Sequence, residues 1–96
     1  MSEFYGTVED MATAQHMSDD EAYVLLAAVR YQLPRRTYGS AIVCGYIERN
    51  IERISAPDIN MLIINIETAF HNREVPTVDI REWDRILQIM KTHVKN

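Results

Sequence analysis

From Ala22 to Val29 every position is apolar: Ala22, Tyr23, Val24, Leu25, Leu26, Ala27, Ala28 and Val29. Wound as an α-helix, such a run is apolar on all sides, which predicts a helix placed centrally rather than one resting a single face on a bundle. Ser18 and Glu21, three positions apart, make a capping box, and Asp19 and Asp20 lie where negative charge suits a helix N-terminus. The first helix is therefore expected over Asp19 to about Gln32. Pro34 ends it, and the residue before a proline, Leu33, is biased out of helical geometry.

A second helix is expected from Tyr38, capped by Thr37, to Arg53 or Ile54. Its interior stripe reads Ile42, Val43, Tyr46, Ile47, Ile51 and Ile54, with Glu48, Arg49, Glu52 and Arg53 mainly outside. The like-charged neighbours Glu48–Glu52 and Arg49–Arg53 are mildly unfavourable within one helix. They fit partners across the packing, in another molecule, or an ordinary surface arrangement. Gly39 and Gly45 each weaken this helix by roughly 1 kcal/mol relative to alanine, which suits either a close helix crossing or simple tolerance.

Ser55 followed by Asp58 is a second capping box, with Pro57 tolerated in the first turn and Ile54 and Ile59 placed as a hydrophobic staple. The third helix then spans about Ala56 to Phe70 or His71, with Ile59, Leu62, Ile63, Ile66 and Phe70 inward. Met61 and Ile64 fall outside that stripe, the pattern of a second buried side or of an oligomer contact. After a polar connection from His71 to Thr77, Asp79 and Glu82 repeat the capping box, and Val78 and Trp83 repeat the staple. The fourth helix runs from Ile80 to about His93, with Trp83, Ile86, Leu87, Met90 and Val94 on its apolar face. Val75 to Ile80 is rich in β-branched residues, but Pro76 and the cap signal oppose a core strand. The fold class is all-α, a compact four-helix domain with a short acidic N-terminal leader. Residues 1–17 form a flexible or partly helical leader, and 18–96 a single helical domain.

The 96 residues suit one core, and homo-oligomerisation would ease the modest stability of a domain this size. The net charge is -4, from 14 acidic and 10 basic residues. Its distribution matters more than its sum, because Glu3, Glu9, Asp10, Asp19, Asp20 and Glu21 all precede the first basic residue, Arg30. An acidic leader of this kind can stay solvated, cover a basic patch of its own domain, or dock on a cationic partner. Cys44 is the single cysteine, set among Ile42, Val43 and Tyr46, and is expected as a buried small hydrophobe. The opening residues lack the basic and apolar regions of a signal peptide, and no apolar run is long enough to cross a bilayer. An intracellular, cytoplasmic setting is the default expectation.

His16, His71 and His93 stand far apart with no metal-ligand spacing, and no glycine pattern matches a phosphate-binding loop. Asp19, Asp20 and Glu21 read as cap charges rather than a catalytic pair, and Ser40 with His71 or His93 is an unconstrained combination. These patterns predict no enzyme, no catalytic residue, no cofactor and no metal.

Arg30, Arg35, Arg36, Arg49 and Arg53, with Tyr31, Tyr38 and Tyr46, offer a better candidate. Arginine presents a planar fork to carboxylate or phosphate, and tyrosine brings stacking area and a hydroxyl to an interface. If the first two helices fold back about Pro34, then Arg30, Tyr31, Arg35, Arg36 and Tyr38 converge at that corner. The protein-binding candidates are Glu9, Asp10, Arg30, Tyr31, Arg35, Arg36, Tyr38 and Arg49, with Met61 and Ile64 as an oligomer contact. Direct DNA or RNA binding is the weaker expectation, since Glu48 and Glu52 interrupt any clean basic face and the Pro-Arg-Arg turn fits a helix-turn-helix poorly.

At Ala28 to Tyr38 the segment AVRYQLPRRTY resembles small helical accessory proteins of phages and mobile elements, and the Trp83 helix does so more loosely. That resemblance implies an accessory or inhibitory protein acting on a host defence or nucleic-acid-handling complex, as an anti-CRISPR protein does. It transfers no functional residue. The combined expectation is a non-enzymatic protein-binding domain that contacts no membrane.

Overall fold

A computed structural model describes residues 16–36 and 38–95. Among them lie four α-helices, α1 (Asp19–Gln32), α2 (Gly39–Asn50), α3 (Ala56–His71) and α4 (Ile80–Lys95), with 3-10 turns at Ile51–Arg53 and Thr77–Asp79 and no strand. The domain is all-α and compact. The leader, including Glu9 and Asp10, lies outside the described residues, as does Thr37.

The first cap forms as its sequence demands. Ser18 Oγ accepts from the Glu21 amide at 3.1 Å, and Glu21 Oε1 accepts from the Ser18 amide at 3.1 Å. At α3 the Ser55 hydroxyl accepts from the Asp58 amide at 3.3 Å, but it also donates to Asp58 Oδ2 at 2.9 Å. The shorter aspartate thus engages the hydroxyl rather than reaching back to the cap amide as a glutamate would. The staple residues Ile54 and Ile59 are both buried.

Helix α4 starts at Ile80 as expected, but its approach differs from the expected cap and staple. A 3-10 turn precedes the helix, and Asp79 Oδ2 accepts from the Ser40 hydroxyl on α2 at 3.3 Å. Val78 is exposed while Trp83 is fully buried, so they do not form the predicted staple. Helix α2 is also shorter than its pattern suggested, passing into the 3-10 turn at Ile51, with Tyr38 rather than Thr37 at the cap position.

Leu33 does not leave helical geometry ahead of Pro34. It adopts φ -49 and ψ -47, donates to the Val29 carbonyl at 2.9 Å and buries its side chain. Core burial overrides the local steric bias.

Helices α1 and α2 lie antiparallel. At one end Arg53 Nη2 reaches both Glu21 carboxylate oxygens at 3.4 Å, and the Met17 amide bonds the Arg53 carbonyl at 2.8 Å. At the other end the Gln32 amide group lies over Gly39, so close that an added Cβ would meet it at 2.5 Å. The principal contacts then run α1 with α2, α2 with α4, α4 with α3, and α3 with α1. The sequence neighbours α2 and α3 therefore stand diagonally across the bundle.

At the middle of this ring are Trp83, Ile86, Leu87 and Met90 of α4, with Ile59, Leu62, Ile63 and Ile66 of α3. Helix α1 contributes Leu25, Val29 and Leu33, and α2 contributes Cys44 and Ile47. Phe70 is only half-buried, and Val94 is exposed at the end of α4. Surface ion pairs join the helices. Arg85 of α4 bridges Glu48 of α2 at 3.0 Å and Glu82 of its own helix at 2.8 Å, and Lys91 reaches Glu67 at 2.6 Å. Glu48 on α2 and Arg53 in the 3-10 turn that follows it, members of the like-charged pairs in the sequence, thus find partners on other helices.

Two expectations about burial are overturned. Helix α1 is peripheral, because Tyr23 and Val24 are 74% and 64% exposed. On α2 the inward stripe is Ser40, Cys44 and Ile47, which turns Ile42 outward to 69% exposure. The fold has room for only one face of each helix, and the contacts across the ring decide which face it is.

Candidate functional site

The two displaced apolar residues meet. Val24 of α1 and Ile42 of α2 line an open groove of about 460 Å³ along the outer seam of the hairpin, together with Leu25, Ala28, Val43 and Tyr46. Its walls are almost wholly apolar. Asp20 and Glu21 close one end.

Glu21 is committed there. The Ser18 amide, with the Arg53 guanidinium beside it, holds its carboxyl below the usual glutamate range against the opposing effect of desolvation. Asp19 and Asp20 make no ion pair among the described residues.

The predicted arginine-tyrosine corner lies at the opposite end of the same hairpin. The Arg35 guanidinium sits 3.6 Å above the Tyr31 ring centroid and donates to the Tyr31 carbonyl. It thereby closes the C-terminus of α1, where an orphan carbonyl and a helix dipole both favour a cation. Tyr31 is 57% exposed and Tyr38 is 92% exposed, with Arg36 exposed between them. Arg30 lines another open depression, of about 500 Å³, with Tyr23, Leu26, Ala27 and Tyr31.

The corner therefore brings Tyr31 and Arg35 into contact and places Arg36 and Tyr38 nearby. Arg49 does not join it, being ten positions along α2 from Gly39, about 15 Å at the helical rise. Met61 and Ile64 share the outer face of α3 and are exposed, with nothing among the described residues covering them.

Sequence reasoning missed Val24 and Ile42 as surface residues. The signal that could have exposed them was the all-round apolarity of α1, since one helix at the edge of a four-helix ring cannot bury every side.

Other groups are built into the structure. Cys44 is fully buried, and burial, aided by the charge of Glu82, pushes its thiol up to about 12. Arg85 is held above its ordinary value by its hydrogen bonds to Glu82 and Glu48. No group of three or more histidine, cysteine or acidic side chains is placed to hold a metal among the described residues. No helix among them is long and apolar enough to cross a membrane. Comparison with family models, with curated proteins and with solved structures finds no match to this chain.

Proposed function

We propose that the chain is a protein-binding domain that works by occupying a surface, with the outer seam between α1 and α2 as its binding face. The observation that carries this reading is the exposure of Val24 and Ile42 on one continuous apolar groove. A small domain keeps such side chains in water at a cost, and contiguous apolar surface framed by charge is the usual mark of an interaction face. The acidic end at Asp19 and Asp20 and the cationic end at Arg35 and Arg36 give that face an orientation. Of the surface cations, Arg53, Arg85 and Lys91 are engaged by carboxylates of the domain itself. The reading accommodates the accessory or inhibitory role that resemblance to phage proteins implies.

A photoreactive amino acid placed in turn at Val24, Ile42 and, as a control, exposed Thr92 on α4 tests it in cells. Covalent protein adducts from the first two positions and not from the third support the assignment. Absence of any adduct at the seam removes it.

A further inference from the structure

Helix α1 carries an exposed line of Asp20, Val24, Ala27 and Tyr31 on its outer side. The intervals are four, three and four residues, which keep the line straight along a helix and match the spacing of a two-helix seam. Arg35 extends it, because its guanidinium is held over the Tyr31 ring at 3.6 Å.

The line is also palindromic in chemistry. About a point between Ala27 and Ala28, Asp20 is the mirror position of Arg35, Val24 of Tyr31, and Ala27 of Ala28. An acid stands at one end, a base at the other, an apolar side chain inside each, and the small Ala27 at the centre, with Ala28 half-buried in the groove beside it. Ile42 widens the strip on the α2 side at 69% exposure.

We infer that the occupant of this exposed face of α1, which borders the groove at Val24, is a second copy of the same chain, its α1 running antiparallel to the first across a twofold axis at Ala27 and Ala28. This rests on the α1–α2 face being a protein-binding surface and names its partner. A twofold contact pairs each residue with its mirror position on the other copy, so it sets Asp20 against Arg35 and Val24 against Tyr31, twice over. Charge complementarity of this head-to-tail kind rejects the parallel arrangement, which would place Asp20 on Asp20 and Arg35 on Arg35.

The apolar pair Met61 and Ile64 on α3 has no such ends, and the adjacent Glu67 is already paired with Lys91 at 2.6 Å. An interface built on one helix and its flank lies at the small end of stable contacts, so the dimer forms in a concentration-dependent way. The end charges are exposed, so salt weakens it.

Sedimentation velocity of the full chain across a concentration series tests the arrangement with two charge reversals. Asp20→Arg alone and Arg35→Asp alone are each expected to weaken self-association by more than about tenfold, since each creates two like-charge contacts. Mixed in equal amounts, the two variants restore a dimer, because both mirror pairs then oppose unlike charges. Restoration also shows that both variants remain folded. Val24→Asp, which leaves the core untouched, abolishes association.

A wild-type chain that stays monomeric throughout the series overturns the inference, as does a mixture that forms no heterodimer or a dimer broken by Met61→Asp and not by Val24→Asp. Should a monomeric chain still yield adducts to another protein from Val24, the binding face stands and only the second copy falls. With no adduct either, both readings fall.

Discussion

The hydroxyl of Ser40, buried on α2, donates to the carboxylate of Asp79 at the head of α4 across 3.3 Å. It links two helices that are far apart in sequence and places a polar group inside the bundle with a charged acceptor. Replacing Ser40 by alanine removes the donor without opening a sizeable cavity. The expected loss is about 1 kcal/mol, the usual net value of such a bond at a long distance. Chemical denaturation measures it as a shift in midpoint at constant slope.

Helix α3 ends in a turn where the Glu74 amide bonds the Ala69 carbonyl at 2.9 Å and the Arg73 amide bonds the Phe70 carbonyl at 3.1 Å. This is the Schellman closure, and its left-handed position is filled by Arg73 at φ 59. A residue with a Cβ is strained there, whereas glycine is not. Arg73→Gly is expected to stabilise the domain by about 0.5–1 kcal/mol, the steric relief less the added freedom of the unfolded chain. Thermal unfolding checks the sign directly.

Cys44 supplies a pH dependence. Burial pushes its thiol from the ordinary 9.0 up to about 12 in the fold, so the folded chain binds the proton more tightly than the unfolded chain. The contribution is fully present below pH 9.0 and is lost as pH rises toward about 12. Within that window the thiol's share of the slope is at most about 1.4 kcal/mol per pH unit. Comparing the wild type with Cys44→Ala over alkaline pH isolates this share from the tyrosines and lysines. A thiol reagent at neutral pH is expected to modify Cys44 only at the rate of unfolding.

What the residue order disclosed was local in origin. Ser18 and Glu21 announce α1 because cap and amide are three residues apart, and Ser55 announces α3 for the same reason. The facing of each helix was a different matter. Ile42 is intrinsically as good a core residue as Ile47, and nothing near it in sequence says that Ser40 and Cys44 will take the inward side instead. That choice is made by Asp79 and the helix carrying Trp83, about forty residues away, which is why the groove at Val24 and Ile42 could not be read from periodicity. Leu33 taught the same lesson at a single residue, since burial held it helical against its proline neighbour. The arginine-tyrosine corner was legible because Pro34 gathers its members within a few residues. Arg49 stands apart from it because its distance is set by the run of α2.

The diagonal placement of α2 and α3 has a consequence for how the molecule assembles during synthesis. Because α2 packs on α4, and Trp83 at the centre of the bundle belongs to α4, three helices emerge before the side chain that unites them. Until α4 is made, Cys44 and Ile47 lack their principal neighbour, and the nascent chain holds an open, apolar trough. Closure then depends on contacts between distant segments, which slows folding relative to a bundle built hairpin by hairpin.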